Sequence, residues 1–413
     1  MNERVAEIEL PSEKEKQTKL NTQFYVFLAS SFIYFFAAYF SVIAFPWLVL
    51  SAYGKAQYLG LALAIQASCR AVIMLLSGTV IDKFNPKTML IVSRALLGIF
   101  LGLYCFILWI NQLSLWYVWL FAIVHGLLDG INHPAVRTFL TRLAPSEKLE
   151  LANSMLFSGQ MLSQVIAPLV VATFISIPEN EIEGVINAFG LEGILLVTSL
   201  LPLFFLRQKI QQEKSEEPMF SMLKSGVRYV LRKRVLRDNL LFIVVVGLFV
   251  EGPIVVSLPL LVKTTLNESV KGLGILFSAH GISMIVGMAL ASAFAPKIKR
   301  QINALIVTSC VVLGICLIAL SQVTTIAYAA ICLAFVGIFA GCLFISLQSL
   351  IQRNTLSRFG GRVMALLSFT TVGLAPLSMA AAGYAADIFL VNNVILFIGG
   401  ILILIAIFKS TIK

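Results

Sequence analysis

Residues 24–50 read FYVFLASSFIYFFAAYFSVIAFPWLVL, from Phe24 to Leu50, without one charged side chain. A run of this length, wound as a helix rising about 1.5 Å per residue, crosses roughly 30 Å of hydrocarbon. Lipid offers no partner to a bare backbone, so such a run must satisfy its own hydrogen bonds as a helix. Working outward, comparable runs lie near 58–81, 88–110, 113–141, 151–176 and 184–206. A second set lies near 240–263, 270–295, 303–321, 324–350, 361–386 and 389–408. No stretch alternates with period two, which argues against a membrane β-barrel. Of the 413 residues 59% are hydrophobic and 12% charged, about half the charged share of a soluble protein. The expectation is an all-α membrane protein with twelve transmembrane helices in two six-helix pseudo-symmetric bundles.

Charge orients the spans. Of the 31 basic residues, 25 fall in the tails and connections on the N-terminal side, and only Lys55, Lys263 and Lys271 on the other. Basic residues are retained on the cytoplasmic side, so both termini are expected there. The net charge of +11 is thereby explained without a nucleic-acid partner. Trp47, Trp109, Trp116 and Trp119 sit near outer span ends, where an interfacial belt is expected. The polar segment 1–23 reads as a cytosolic tail with no cleavable signal. It is followed by a bundle over 24–206, a basic linker over 207–239, a bundle over 240–408 and a short cytosolic C-terminus over 409–413. The linker's RYVLRKRVLRDN suits an amphipathic helix on the inner leaflet, in contact with anionic lipid, or simply a charged connection. The six cysteines lack CxxC spacing and read as packing residues. Between the halves, Pro46-Trp47-Leu48-Val49 is echoed by Pro259-Leu260-Leu261-Val262, and Pro168 by Pro376. Such repeats mark transporters that rock about a site between their halves.

The loop after the second span reads Gly78-Thr79-Val80-Ile81-Asp82-Lys83-Phe84-Asn85-Pro86-Lys87. It resembles the loop between helices two and three of the major facilitator superfamily. The resemblance implies a cytoplasmic gate of Gly78, Asp82, Lys83 and Lys87 acting against Gly361 and Arg362 at the start of helix eleven. Pro86 replaces a basic residue common there, and the matching loop of the second half, Pro296-Lys297-Ile298-Lys299-Arg300, has no acid. Asp129-Gly130-Ile131-Asn132-His133-Pro134 and Gly383-Tyr384-Ala385-Ala386-Asp387 resemble the drug and metabolite exporter branch, which includes macrolide efflux proteins and the enterobactin exporter. This implies a monomeric secondary transporter of the bacterial cytoplasmic (inner) membrane. The resemblance further implies export of a small molecule against proton entry, so a proton gradient is the expected energy source and no cofactor is expected.

Ionisable residues inside a membrane are costly, so each raises a functional hypothesis. His125, Asp129, His133 and Arg137 recur every four residues of span four, which sets neighbours on one helical face. The first three are candidates for holding and relaying a proton, with Arg137 at the cytoplasmic surface. A pair of ligands on one helix is weak as a metal site, and none is assigned. Glu251 precedes Gly252-Pro253 in mid-span, where proline removes a backbone hydrogen bond and bends the helix. It is a candidate for proton coupling and for binding a cationic cargo. Arg70, in the middle of span two, needs a partner: Asp129, Glu251 or an anionic substrate. A 213-residue repeat offset sets Arg70 opposite Ser283, with His280 on the same face, so Arg70 and His280 are candidates for gripping a carboxylate-bearing cargo. Salt-bridge packing is the competing account of Arg70. Glu192 is expected to face solvent, and Arg94 to snorkel or support the gate.

The functional expectation is a proton-coupled exporter of a small amphiphile, siderophore-like if Arg70 grips it. Rivals are a lysophospholipid or lipid flippase, a metal-ion exporter and a non-transporting receptor or scaffold. With no GxxxxGK[ST], GxSxG or HExxH pattern, enzyme chemistry is not expected.

Overall fold

The computed structural model describes residues 20–81, 85–110, 112–206, 219–295, 301–356, 359, 363, 366–367, 370 and 373–411. Six helices form the first bundle: α1 (Thr22–Tyr53), α2 (Ala56–Ile81), α3 (Pro86–Trp109), α4 (Leu115–Leu143), α5 (Leu149–Ile175) and α6 (Glu181–Phe204). A shorter helix α7 (Met219–Arg232) leads to the second bundle. That bundle holds α8 (Arg234–Thr265), α9 (Val270–Ala293), α10 (Ile302–Leu320), α11 (Ile326–Asn354), α12 (Ala375–Phe389) and α13 (Val391–Thr411). Among the described residues eleven helices are long and apolar enough to span a membrane. The predicted span over 361–386 falls partly outside them, and its described helix, α12, is 15 residues long. The chain is an integral membrane protein.

Helix ends follow their local sequence. The Asn21 and Asn85 side chains accept from Phe24 and Lys87 backbone N–H groups, and Pro86 opens α3, as N-caps and first-turn prolines do. Gly54 closes α1 at φ 64°, a left-handed backbone that glycine adopts without a steric penalty.

The two bundles repeat one packing scheme. In the first, α2 packs on α4, α3 on α6 and α1 on α5; in the second, α9 packs on α11, α10 on α13 and α8 on α12. Glycines make the tightest crossings. A Cβ on Gly126 would lie 2.3 Å from the Gln66 carbonyl oxygen, and one on Gly130 3.0 Å from that of Arg70. Their counterparts Gly337 and Gly341 meet the His280 and Met284 carbonyls at 2.7 and 2.3 Å. Both pairs are small residues four apart, a spacing that lets membrane helices approach backbone to backbone. They fix the repeat: His280 corresponds to Gln66 and Met284 to Arg70. The register therefore differs by one residue from the alignment that set Arg70 opposite Ser283, because the α8–α9 connection is longer than the α1–α2 one.

The bundles meet through α2 with α12 and α5 with α9. Gly60 crosses α12 so closely that an added Cβ would sit 2.6 Å from the Met379 carbonyl, and Gly274 lies equally tight on Pro168 and Ala172. We call the end of the molecule at Gly54 distal, opposite the end where α1 begins. Three further contacts join the bundles there. Asp387 accepts from the backbone N–H groups of Ala56 and Gln57 at 2.8 and 3.0 Å, capping α2. Lys263 Nζ lies 2.7 Å from Glu181 and 2.6 Å from Ser51 Oγ. The same ammonium stands 4.6 Å from the centre of the Trp47 ring. Trp47 is consequently buried, whereas Trp109 and Trp116 are among the most exposed side chains. The belt expected of all four tryptophans loses Trp47 to this joint.

Helix α7 packs against the second bundle. Val230 is buried with Ile351 and Leu367, Tyr229 stacks on Phe359 at 4.2 Å, and Lys233 donates to the Asn354 carbonyl. Part of its apolar side covers the second bundle, while Val227 and Leu231 stay exposed with Arg228 and Arg232.

Valine at Gly126 must push α2 and α4 apart against backbone, a form of overpacking that costs about 1–3 kcal/mol. Gly126→Val is expected to lower the unfolding midpoint in detergent, whereas valine at Gly102, which meets nothing within 4 Å, should leave it unchanged.

Candidate transport site

Because Gly126 and Gly130 bring α2 against α4, side chains four apart on each helix face one another. Arg70 Nε lies 2.9 Å from Asp129 Oδ2, and the other carboxylate oxygen accepts from the Tyr34 hydroxyl of α1. One turn towards the distal end, Gln66 Nε2 sits 2.9 Å from His125 Nδ1. His125 Nε2 faces Glu192 Oε1 of α6 at 3.6 Å, and Glu192 Oε2 accepts from Ser41 of α1 at 2.6 Å. His125 and Glu192 are fully buried.

Glu192 thus does not face solvent as expected. It lies about ten residues, or roughly 15 Å, inside α6, and the helix packs that turn inward. Arg94 departs from expectation too: it is 0% exposed and does not snorkel. Its guanidinium donates to Asn132 at 3.1 Å and Ser30 Oγ at 2.8 Å and stands 4.5 Å from the Tyr34 ring centre. Neutral oxygens and an aromatic face thus carry a charge that would otherwise be prohibitive to bury. His133 is half-buried beside Phe35, and Arg137 is exposed.

The second bundle presents a different interior. A cavity of about 430 Å³ lies between α9 and α11 near their proximal ends, by Ser292 and Arg353. Nearer mid-membrane is a cavity of about 270 Å³, lined by Glu251, His280, Met284, Phe277 and Phe344, with Gln164 of α5 closing it from the first bundle. Glu251 ends a π-helical turn, Gly247–Glu251, directly before Gly252 and Pro253. Proline there cannot donate and its ring crowds the preceding turn, so the helix widens. The widened turn exposes Glu251 to the cavity, and its carboxylate has no hydrogen-bond or ion-pair partner among the described residues. His280 keeps a buried Nδ1 without a hydrogen bond.

The predicted candidates therefore separate into two groups. Glu251 and His280 share the central cavity. Arg70, Asp129 and His125 belong to the network of the first bundle, and Arg70 does not line the cavity with His280. Lys87 of the gate motif donates to the Leu206 carbonyl at 2.6 Å, a cation set on the carbonyl end of α6. Asp82, Lys83, Gly361 and Arg362 lie outside the described residues, and Gly78 is described only as part of α2. No group of three metal-ligating side chains occurs among the described residues. Sequence reading missed Gln66, Tyr34 and Ser41. The signal was the matched spacing of Gln66–Arg70 and His125–Asp129, two i,i+4 pairs on adjacent helices.

Two repeated helical bundles, joined by two helix pairs and holding a polar-ended cavity, define a membrane transporter. The Major Facilitator Superfamily model matches residues 27–377, and the chain belongs to that family. It is similar to the staphyloferrin A transporter of Staphylococcus aureus (strain NCTC 8325 / PS 47), 22% identical over 88% of this chain and 89% of that one. It is also similar to macrolide efflux protein A of Streptococcus pyogenes, 22% identical over 80% of this chain and 81% of that one. Among solved structures, the nucleoside transporter NupG superposes with a TM-score of 0.73 at 12% identity, covering 95% of this chain and 99% of that one. The POT family transporter PepTSo gives 0.70 at 11%, covering 95% and 98%.

Removing one member of a buried ion pair leaves the other unpaired at a cost of about 3–5 kcal/mol, less where solvent reaches the pair. The Arg70 side chain is 32% exposed, so Arg70→Met and Asp129→Leu should each destabilise by about 2 kcal/mol. The double variant should recover most of that, as a double-mutant cycle in detergent would show.

Proposed function

We propose that this transporter is a proton-coupled antiporter that exports a small amphiphile from the cytoplasm, with the amphiphile seated in the cavity at Glu251. The observation that carries this reading is a partnerless carboxylate opening onto an apolar cavity at a widened, proline-broken turn. Such a group can hold either a proton or a cationic cargo, so one must leave before the other binds. The π turn supplies a place where α8 can flex as the occupant changes. The similarity to a staphyloferrin A transporter and to a macrolide efflux protein supports efflux of a small molecule.

The cavity chemistry favours a neutral or basic amphiphile over the anionic, siderophore-like cargo suggested by Arg70. The Arg70 guanidinium is already neutralised by Asp129, and the cavity's charged side chain is acidic. The outside corresponds to the distal end if the basic connections mark the cytoplasm of a bacterial inner membrane.

In proteoliposomes with an imposed pH gradient, a lipophilic amine dye should be driven across the bilayer, and Glu251→Gln should slow it at least tenfold. Gradient-driven movement intact in both Glu251→Gln and Asp129→Asn would refute the coupling assignment. Gradient-driven movement of a polycarboxylate siderophore, weakened tenfold by Arg70→Ala, would move the cargo site to the arginine. Flip of a fluorescent lysophospholipid with no movement of either probe would make the protein a flippase.

A further inference from the structure

The His125–Glu192 pair lies apart from the cargo cavity, on different helices and in the other bundle. Its two facing atoms, His125 Nε2 and Glu192 Oε1, are both buried and both lack a hydrogen bond, at a separation of 3.6 Å. The remaining atoms are accounted for. Ser41 donates to Glu192 Oε2, Gln66 Nε2 meets His125 Nδ1, and the Phe121 ring covers the imidazole face at 5.3 Å. The amide of Gln66 can meet Nδ1 with either end: its nitrogen donates to a lone pair on Nδ1, which leaves the ring hydrogen on Nε2 facing the carboxylate, and its oxygen accepts from Nδ1–H.

We propose that His125 and Glu192 form a proton-binding site in which Gln66 turns over with occupancy. The proton adds to Nδ1, making an imidazolium whose Nε2–H faces the Glu192 carboxylate as an ion pair. Nδ1–H then needs an acceptor, and Gln66 supplies its carbonyl oxygen by rotating the amide end for end. Loss of the proton reverses the rotation.

The surroundings favour one added charge at this place. On α4 the neighbouring titratable groups are Asp129 and His133, and Asp129 is held by Arg70 of α2 and Tyr34 of α1. From α3 come Arg94, bonded to neutral partners, Tyr104, packed on Phe121, and Cys105, which donates to the Ile186 carbonyl. From α6 the ionisable group is Glu192 itself. Asp129 is thus spoken for, while Glu192 faces no cation within ion-pair distance until His125 gains one.

Gln66 connects the site to the moving parts. Gly126 packs against the Gln66 backbone carbonyl, an atom separate from the rotating side-chain amide, and the same helix α2 carries Gly60, the close crossing to the second bundle. The amide rotation thus occurs on a helix that joins the bundles, beneath a distal end closed by Asp387 and Lys263. The inference deepens the proton-coupled reading by naming a second proton site distant from Glu251.

The chain has three histidines, so nitrogen-15 histidine spectra of the full-length protein in lipid nanodiscs resolve the question. His133→Gln and His280→Gln assign the His125 signals. We expect His125 to pass from a neutral to a doubly protonated ring within the pH range over which the protein stays folded. In Glu192→Gln it should bind that proton at least tenfold more weakly. A wild-type His125 that keeps one tautomer over this range overturns the proposal, and so does a titration that Glu192→Gln leaves in place. The wild-type titration needs no variant to fold. A silent His125 alongside a transport-dead Glu251→Gln would refute this site alone. A titrating His125 in a protein whose Glu251→Gln variant still couples would refute only the role given to Glu251.

Discussion

Two glycines on α4 decide where the ionisable groups of the first bundle can go. With Gly126 and Gly130 in place, α2 lies against α4 at backbone distance, and the side chains flanking that seam have nowhere to turn except to each other. Gln66 meets His125 and Arg70 meets Asp129 as a geometric consequence. A larger residue at either glycine would part the helices by more than a hydrogen bond can bridge. Close packing and charge pairing are therefore one constraint in this bundle, since lipid penalises an unpaired charge and supplies no alternative partner.

The second bundle inherits the glycines but not the charges. Gly337 and Gly341 hold α9 against α11 as their counterparts hold α2 against α4, yet the facing residues are His280 and Met284 rather than Gln66 and Arg70. Where the first bundle fills its interior with a network, the second is left with a cavity walled by aromatic and aliphatic side chains. The halves share a scaffold and divide the chemistry. One keeps fixed charge in balance, and the other keeps an open space with one acid at its edge.

Most span positions were legible in the sequence because hydrophobic length is a local property, and the family because the loop from Gly78 to Lys87 and the motifs after it resemble that family's. The partner of Arg70 was legible as a short list, because few carboxylates lie within the spans. Glu192 was misjudged because its depth depends on where α6 begins, and Glu181 starts the helix close to the membrane's edge. Arg94 was misjudged because three serine and asparagine oxygens can replace a carboxylate, and such neutral partners carry no signature. The repeat offset was off by one residue because it was set on prolines of α1 and α8, and the α8–α9 connection is longer than the α1–α2 one.

The cavity and the network are nevertheless not independent. Each bundle contributes one helix to each inter-bundle contact, and the helix that α2 is to the first bundle α9 is to the second. Gln66 and Arg70 ride on α2, and His280 and Met284 on α9, all on the turns that the glycines of α4 and α11 grip. Ser278 of α9 also donates to the Val165 carbonyl of α5, beside Gln164, which closes the cavity. A change of occupant near His280 must therefore be felt where α9 meets α5, and a change near Gln66 where α2 meets α12. Because both contacts belong to the same two rigid bundles, a tilt at one cannot occur without a tilt at the other. Mechanical linkage of this kind needs no side chain common to the two sites, only that each sits on a helix that joins the halves.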